Sequence, residues 1–192
     1  MRILVLYAHP DPESYVAALH RATVQGLAEA GHAVDDCDLY AESFDPILSR
    51  EERLRYHDLS CNRASVELYI RRLEAAQGLV LVFPVWNFGL PAILKGFFDR
   101  VFLPGVSFRL ENGRVRPNLH QLTSLTAVTT YGGSRWRALA MGDPPRKIVN
   151  RALRAVAPRA RVSYFAAYDM NRATPARRTT FLADVGQAMR RL

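Results

Sequence analysis

Apolar and polar positions follow two alternating rhythms along this chain. Residues 2–8 (RILVLYA) and 79–83 (LVLVF) are nearly unbroken apolar runs, the pattern of strands buried on both faces. Between them, residues 14–30 carry Leu19, Thr23, Leu27 and Ala30 at helical spacing, with Gly31 as the stop. Residues 33–39 (AVDDCDL) read as a second, less buried strand with Ala33, Asp35, Cys37 and Leu39 on one face, which suits a sheet edge. Ser49 and Glu52 have capping-box spacing and start a short charged helix; residues 65–76 predict an amphipathic helix with Val66, Tyr69, Ile70 and Leu73 inward. A helix over 91–102 opens at Pro91. Asn112-Gly113 marks a hairpin within residues 108–116. The rhythm then resumes: strand 125–131 (LTAVTTY), helix 145–156, strand 161–168 (RVSYFAAY) and a closing helix over 174–191.

Strands that alternate with helices imply a parallel sheet covered on both faces. Five such units predict an α/β fold of the flavodoxin-like, doubly wound kind, a five-stranded sheet in the order 2-1-3-4-5 with the hairpin as a small excursion. At 192 residues and 49% hydrophobic, one domain spanning 1–192 is expected. No apolar run is long enough to span a bilayer, and the first residues enter a strand directly, without the regions of a signal peptide. Membrane insertion is therefore not expected, and a cytoplasmic location is. The two cysteines, Cys37 and Cys61, form no CxxC pair and read as thiols without chemistry. The net charge of +8 is uneven: residues 131–192 carry 13 Lys+Arg against 3 Asp+Glu. Such a basic third attracts phosphate-bearing ligands, but its arginines are scattered as on a solvated surface, so nucleic acid is not expected as a partner.

In open parallel sheets ligands bind beyond the carboxyl ends of the strands. That rule selects three loops: 9–15 (HPDPESY), 84–89 (PVWNFG) and 129–134 (TTYGGS). The first runs into a helix N-terminus, where free N–H groups favour a phosphate and Ser14 adds a hydroxyl. The second places Trp86 and Phe88 in a loop, where aromatic rings gain from being covered. The third offers two hydroxyls and two glycines that let backbone amides approach a flat polar ligand. Together they suit a molecule with a phosphate tail and a planar heteroaromatic head, such as a flavin. Each loop also has a plainer reading: Ser14 as an N-cap, the aromatic rings as packing or a subunit contact, Thr129 and Thr130 as strand, Gly132-Gly133 as a turn. No GxGxxG follows the first strand, and the sequence has no Walker A loop, HExxH or GxSxG. A resident dinucleotide of the Rossmann kind, a metal site and a serine nucleophile are not expected.

With these motifs in hand, the sequence resembles the NAD(P)H:quinone oxidoreductases of the DT-diaphorase type and their bacterial relatives, through "AHPDPES", "DLYAESFDPILS", "FPVWNFGLPAILKGFFDRVF" and "TTYGGS". The resemblance implies a tightly bound flavin, usually FAD with FMN as the alternative, NAD(P)H as a transient donor, a small quinone-like acceptor and ping-pong turnover. It also implies a homodimer whose interface covers Trp86 and Phe88. Carried over by position, His9, Ser14, Tyr15 and Val16 would lie at the phosphate and ribityl end. Pro84, Val85, Trp86, Asn87 and Phe88 would run along the isoalloxazine, and Thr129, Thr130, Tyr131, Gly132 and Gly133 would reach its polar edge. Three departures stand out: Val16 replaces the family's Asn, Tyr131 is an extra residue between the threonines and glycines, and the Tyr and His that follow Gly-Gly in the eukaryotic enzymes are unmatched. Met141 falls where that His belongs and Arg135 or Trp136 near the Tyr, so the residue for proton transfer is left unassigned. Related flavoproteins also serve as ancillary subunits of potassium-efflux systems, which gives a second reading: a flavin-bearing regulatory subunit that docks on a membrane-protein partner through its basic C-terminal third.

Overall fold

A computed structural model describes residues 1–192. The five apolar segments form the strands β1 (Arg2–Tyr7), β2 (Ala33–Asp38), β3 (Gly78–Val85), β6 (Ser124–Tyr131) and β7 (Arg161–Ala167), while β4 (Phe108–Glu111) and β5 (Arg114–Pro117) make a separate antiparallel hairpin. All pairings in the main sheet are parallel, in the order β2-β1-β3-β6-β7, which is the predicted 2-1-3-4-5 order once the hairpin strands take their own numbers. The central register aligns Leu6 with Leu81 and Leu81 with Ala127.

The period-2 alternation of side chains splits the core into two layers. Ile3, Val5, Val80, Val82 and Val128 face α1 (Tyr15–Glu29) and α8 (Pro175–Met189), meeting Leu19, Leu27, Val185 and Met189. Leu4, Leu6, Leu79, Leu81, Phe83, Leu125 and Ala127 face the opposite layer, built from α3 (Glu67–Ala75), α4 (Ala92–Val101) and Val149 and Leu153. Helices α1 and α8 touch backbone to backbone: a Cβ on Gly26 would lie 2.8 Å from the Gly186 carbonyl oxygen. The charged α2 (Arg50–Arg55) begins with the predicted capping box, Ser49 and Glu52 each accepting from the other's backbone N–H. Edge strand β2 tolerates Asp35 because Arg72 of α3 reaches it at 2.7 Å.

Three segments depart from expectation. The helix predicted over 65–76 begins as a 3-10 turn at Ala64–Val66, since Val66 sits at φ −128°. The region after β6 contains an unforeseen short helix, α5 (Arg135–Ala140). The helix predicted over 145–156 is three pieces, α6 (Pro144–Lys147), a π-helical stretch over Ile148–Leu153 and α7 (Arg154–Val156). No helix is long and apolar enough to cross a membrane.

Candidate functional site

The carboxyl ends of β1, β3 and β6 lie side by side, so the loops that follow them share one edge of the sheet. Beyond Val85 the chain closes a tight turn: Trp86 N–H donates to the Gly89 carbonyl at 3.2 Å and Gly89 N–H returns the bond to Trp86 at 2.8 Å. The two residues inside it, Asn87 and Phe88, have φ of 49° and 59°. Two consecutive left-handed residues are the signature of a type I′ turn, for which Asn is suited and Phe is not. Holding a bulky side chain there costs about 1–2 kcal/mol. The turn leaves two large rings partly at the surface, Trp86 at 41% and Phe88 at 40% exposure. Trp86 leans toward His9, ring centroids 5.6 Å apart, which brings the first and second loops together.

The third loop closes the other side. Val85, Asn87, Phe88, Tyr131, Gly132, Gly133, Ser134, Arg137, Ala138 and Asn171 line one cavity of about 270 Å³. The Gly-Gly pair is pinned from β7's side, where Asp169 N–H donates to the Gly133 carbonyl at 2.8 Å and the Asn171 amide packs where a Cβ on Gly132 would fall. The backbone N–H groups of Asn87, Phe88, Gly132 and Gly133 donate to no protein acceptor. Four free donors around one cavity are a recognition surface for a polar-edged ligand. With an aromatic turn on one side and two glycines on the other, they fit the edge and face of a flavin ring.

The remaining expected residues are placed as follows. Ser14 caps α1, its hydroxyl accepting from Ala17 N–H at 3.1 Å and keeping its own proton to donate, while Val16 is buried against the sheet, so any contact from Val16 to a ligand would come through its backbone. The Tyr15 hydroxyl donates to the Arg178 carbonyl at 2.7 Å, and its ring lines a separate cavity of about 300 Å³ with Tyr168, Arg177 and Arg178. His9 borders a third cavity with Tyr7 and Asp38, and its Nδ1 accepts from Asp11 N–H at 3.0 Å. Pro84 pairs with Thr130 one position before the end of β3, and Thr129 is fully buried with its hydroxyl unpartnered.

Tyr131, the extra residue, turns out to organise the wall of the site. Its hydroxyl donates to Asp143 Oδ1 at 2.6 Å; having no second proton, it accepts from Tyr164 at 2.7 Å. Asp143 Oδ2 accepts from Arg146 Nε at 2.9 Å, Arg146 donates on to the Tyr168 hydroxyl at 2.9 Å, and the Tyr168 ring stacks on Tyr131 at 4.5 Å. Burial, and then the bond to Asp143, hold the Tyr131 phenol far above its ordinary pKa. Sequence reasoning missed Asp143, Arg146, Tyr164, Tyr168 and Asn171 as site residues, because the contacts that join this group to Tyr131 and Gly132 bridge segments distant in sequence. Trp136 and Met141, which stand near the positions of the missing relay, are both exposed, Trp136 at 81%.

A family model described as a flavodoxin-like fold matches residues 1–190. Rat NAD(P)H dehydrogenase (quinone) 1 is 32% identical over 157 residues, covering 72% of this chain and 56% of that protein. This chain spans about half the length of the curated relatives that match it first. A solved structure from Streptococcus mutans superposes with a TM-score of 0.88 at 28% identity over 100% of both chains. The NAD(P)H:quinone oxidoreductase from Methanothermobacter marburgensis superposes with a TM-score of 0.86 at 25% identity, over 99% of this chain and 98% of that one.

Proposed function

Because the chain belongs to the flavodoxin-like fold family, we propose that it is a flavin-dependent NAD(P)H oxidoreductase, one domain over 1–192, that passes two electrons to a quinone or a similar small acceptor. The observation that carries this reading is that four residues whose backbone N–H groups donate to no protein acceptor line one cavity beside the strained Trp86–Gly89 turn. The names of the rat and Methanothermobacter relatives support it.

A bound flavin supplies the two-electron chemistry; the chain supplies position and field. Gly132 and Gly133 would hold the polar edge of a bound ring through their backbone amides, and Asn87 and Phe88 through theirs. The partly exposed Phe88 and Trp86 rings would border a bound flavin with apolar surface. Arg137, whose side chain passes over Gly133, adds positive potential where electron density collects. The start of α1, whose first N–H groups have no intrahelical acceptor, would hold the phosphates. The neighbouring cavity of Tyr15, Tyr168, Arg177 and Arg178 has room for a nucleotide end, which favours FAD over FMN. The Tyr131 hydroxyl is committed to Asp143, so it orders the wall of the site. A second copy covering Trp86 and Phe88 makes the working unit a homodimer.

The test is a visible spectrum of the purified protein, heat release of the chromophore with identification by mass, and multiple-turnover quinone reduction with NAD(P)H. Bound FAD with turnover is expected. A colourless protein that takes up neither FAD nor FMN overturns the reading.

A further inference from the structure

Behind the Tyr131–Asp143 wall lies a second cavity, of about 320 Å³, lined by Leu139, Gly142, Asp143, Arg146, Lys147, Asn150 and Arg151. Its charges are unbalanced. The Asp143 carboxylate is already satisfied by Arg146 and Tyr131, at 2.9 and 2.6 Å, so it presents little free negative charge to the cavity. Lys147 and Arg151 have no anionic partner, whereas Arg72, Arg100, Arg172 and Arg190 are each paired to a carboxylate. The Lys147 ammonium rests over Gly142, near enough that a Cβ there would come within 3.2 Å of Nζ. Asp143, Lys147, Asn150 and Arg151 share one side of the helical segment, and the wide turn of the π-helical stretch carries the last two. π-Helical turns are frequent at functional sites.

Two unpaired, solvent-exposed cations and an amide donor around one open cavity match a phosphate monoester dianion. The cavity lies against the candidate site, since Asp143 lines one cavity, Tyr131 lines the other, and the two are hydrogen-bonded. A ligand with its reactive head stacked on a flavin held in the first cavity and a phosphate in this one would run over α5, whose Ala138 lines the first and Leu139 the other. NADH and NADPH share the diphosphate in mid-molecule; only NADPH carries a further phosphate at its far end. We infer that Lys147 and Arg151, with Asn150, hold the 2′-phosphate of NADPH, so that this chain takes NADPH in preference to NADH. The inference rests on the oxidoreductase reading above and adds the identity of the donor.

Binding and turnover separate the two. Equilibrium titration of the flavin-loaded protein with 2′,5′-ADP and with 5′-AMP measures the phosphate contribution without any redox step. The expected result is binding of 2′,5′-ADP at least tenfold tighter than 5′-AMP, with that preference lost in the Lys147→Ala, Arg151→Ala double variant and largely restored in Lys147→Arg. The ratio of kcat/KM for NADPH to that for NADH should fall about tenfold in the double variant, through KM. Equal binding of the two probes by the wild-type protein, or an unchanged preference in the double variant, overturns the inference. A protein reduced equally well by NADH and NADPH fails the inference and keeps the oxidoreductase reading; one that binds 2′,5′-ADP selectively but is reduced by neither nucleotide fails both, leaving only a phosphate site.

Discussion

Phe88 is a residue in a conformation that its side chain resists. At φ 59° the Cβ crowds the following carbonyl, a cost of about 1–2 kcal/mol that Gly would not carry. Packing does not repay it, since the ring stays 40% exposed. This makes a sharp comparison possible: Phe88→Gly should be more stable than Phe88→Ala by about 1 kcal/mol, because both lose the ring and only Ala keeps the left-handed strain. Both should weaken flavin binding at least tenfold, which fluorescence titration would measure alongside urea unfolding. Equal stability of the two variants would remove the strain argument. Asp143 is the opposite case, a carboxylate only 4% exposed whose every strong contact is made. The Trp86–Gly89 loop was legible as a site because apolar rings in a loop are anomalous in sequence. Asp143 was not, since an Asp before Pro-Pro reads as an ordinary helix start.

Elements are joined in this fold by a few buried charges, and Glu52 shows how. It closes the capping box of α2 and also accepts from the Ser65 hydroxyl at 2.6 Å and from Arg100 of α4. Burial raises its pKa, but the bonds from Ser65, the Ser49 backbone and Arg100 outweigh that and hold it at about 2. A depressed carboxyl stabilises the fold fully above the unfolded-state pKa, near 4.5, and loses that contribution as pH falls toward 2. Glu52→Gln should therefore cost roughly 2 kcal/mol at pH 7 after allowing for solvent screening. Urea unfolding at several pH values should show the gap to wild type narrowing between pH 5 and pH 3. A gap independent of pH would mean that Glu52 acts by shape and not by charge. The capping box itself was readable from Ser49 and Glu52, because capping is a local rule. Arg100 was not readable as its partner, lying 48 residues on. The same reason hid α5: Arg135–Ala140 has no apolar periodicity and is positioned by Gly133 and Asp169 from neighbouring elements.

On the scale of the whole molecule, the sheet order was recoverable because its five apolar runs could pair only as covered parallel strands, with β2 and its aspartates at the edge. That order also determines how a ligand couples to stability. The three candidate loops extend from β1, β3 and β6, which are neighbours in the middle of the sheet and enter both layers of the core. A flavin bridging them cannot be released by fraying of one terminus; the folded sheet is what binds it, so its binding energy adds to global unfolding. For one site, a free flavin at about 100 times its Kd would add about 2.7 kcal/mol. For a chain of this length that corresponds to a rise in Tm of roughly 5–10 °C over the flavin-free protein. Differential scanning calorimetry across FAD concentrations should show a single transition that climbs with the logarithm of free FAD. If the three loops instead bind only through local ordering, the main transition will stay fixed while a minor one moves, and the sheet edge would then be a surface that the fold does not depend on.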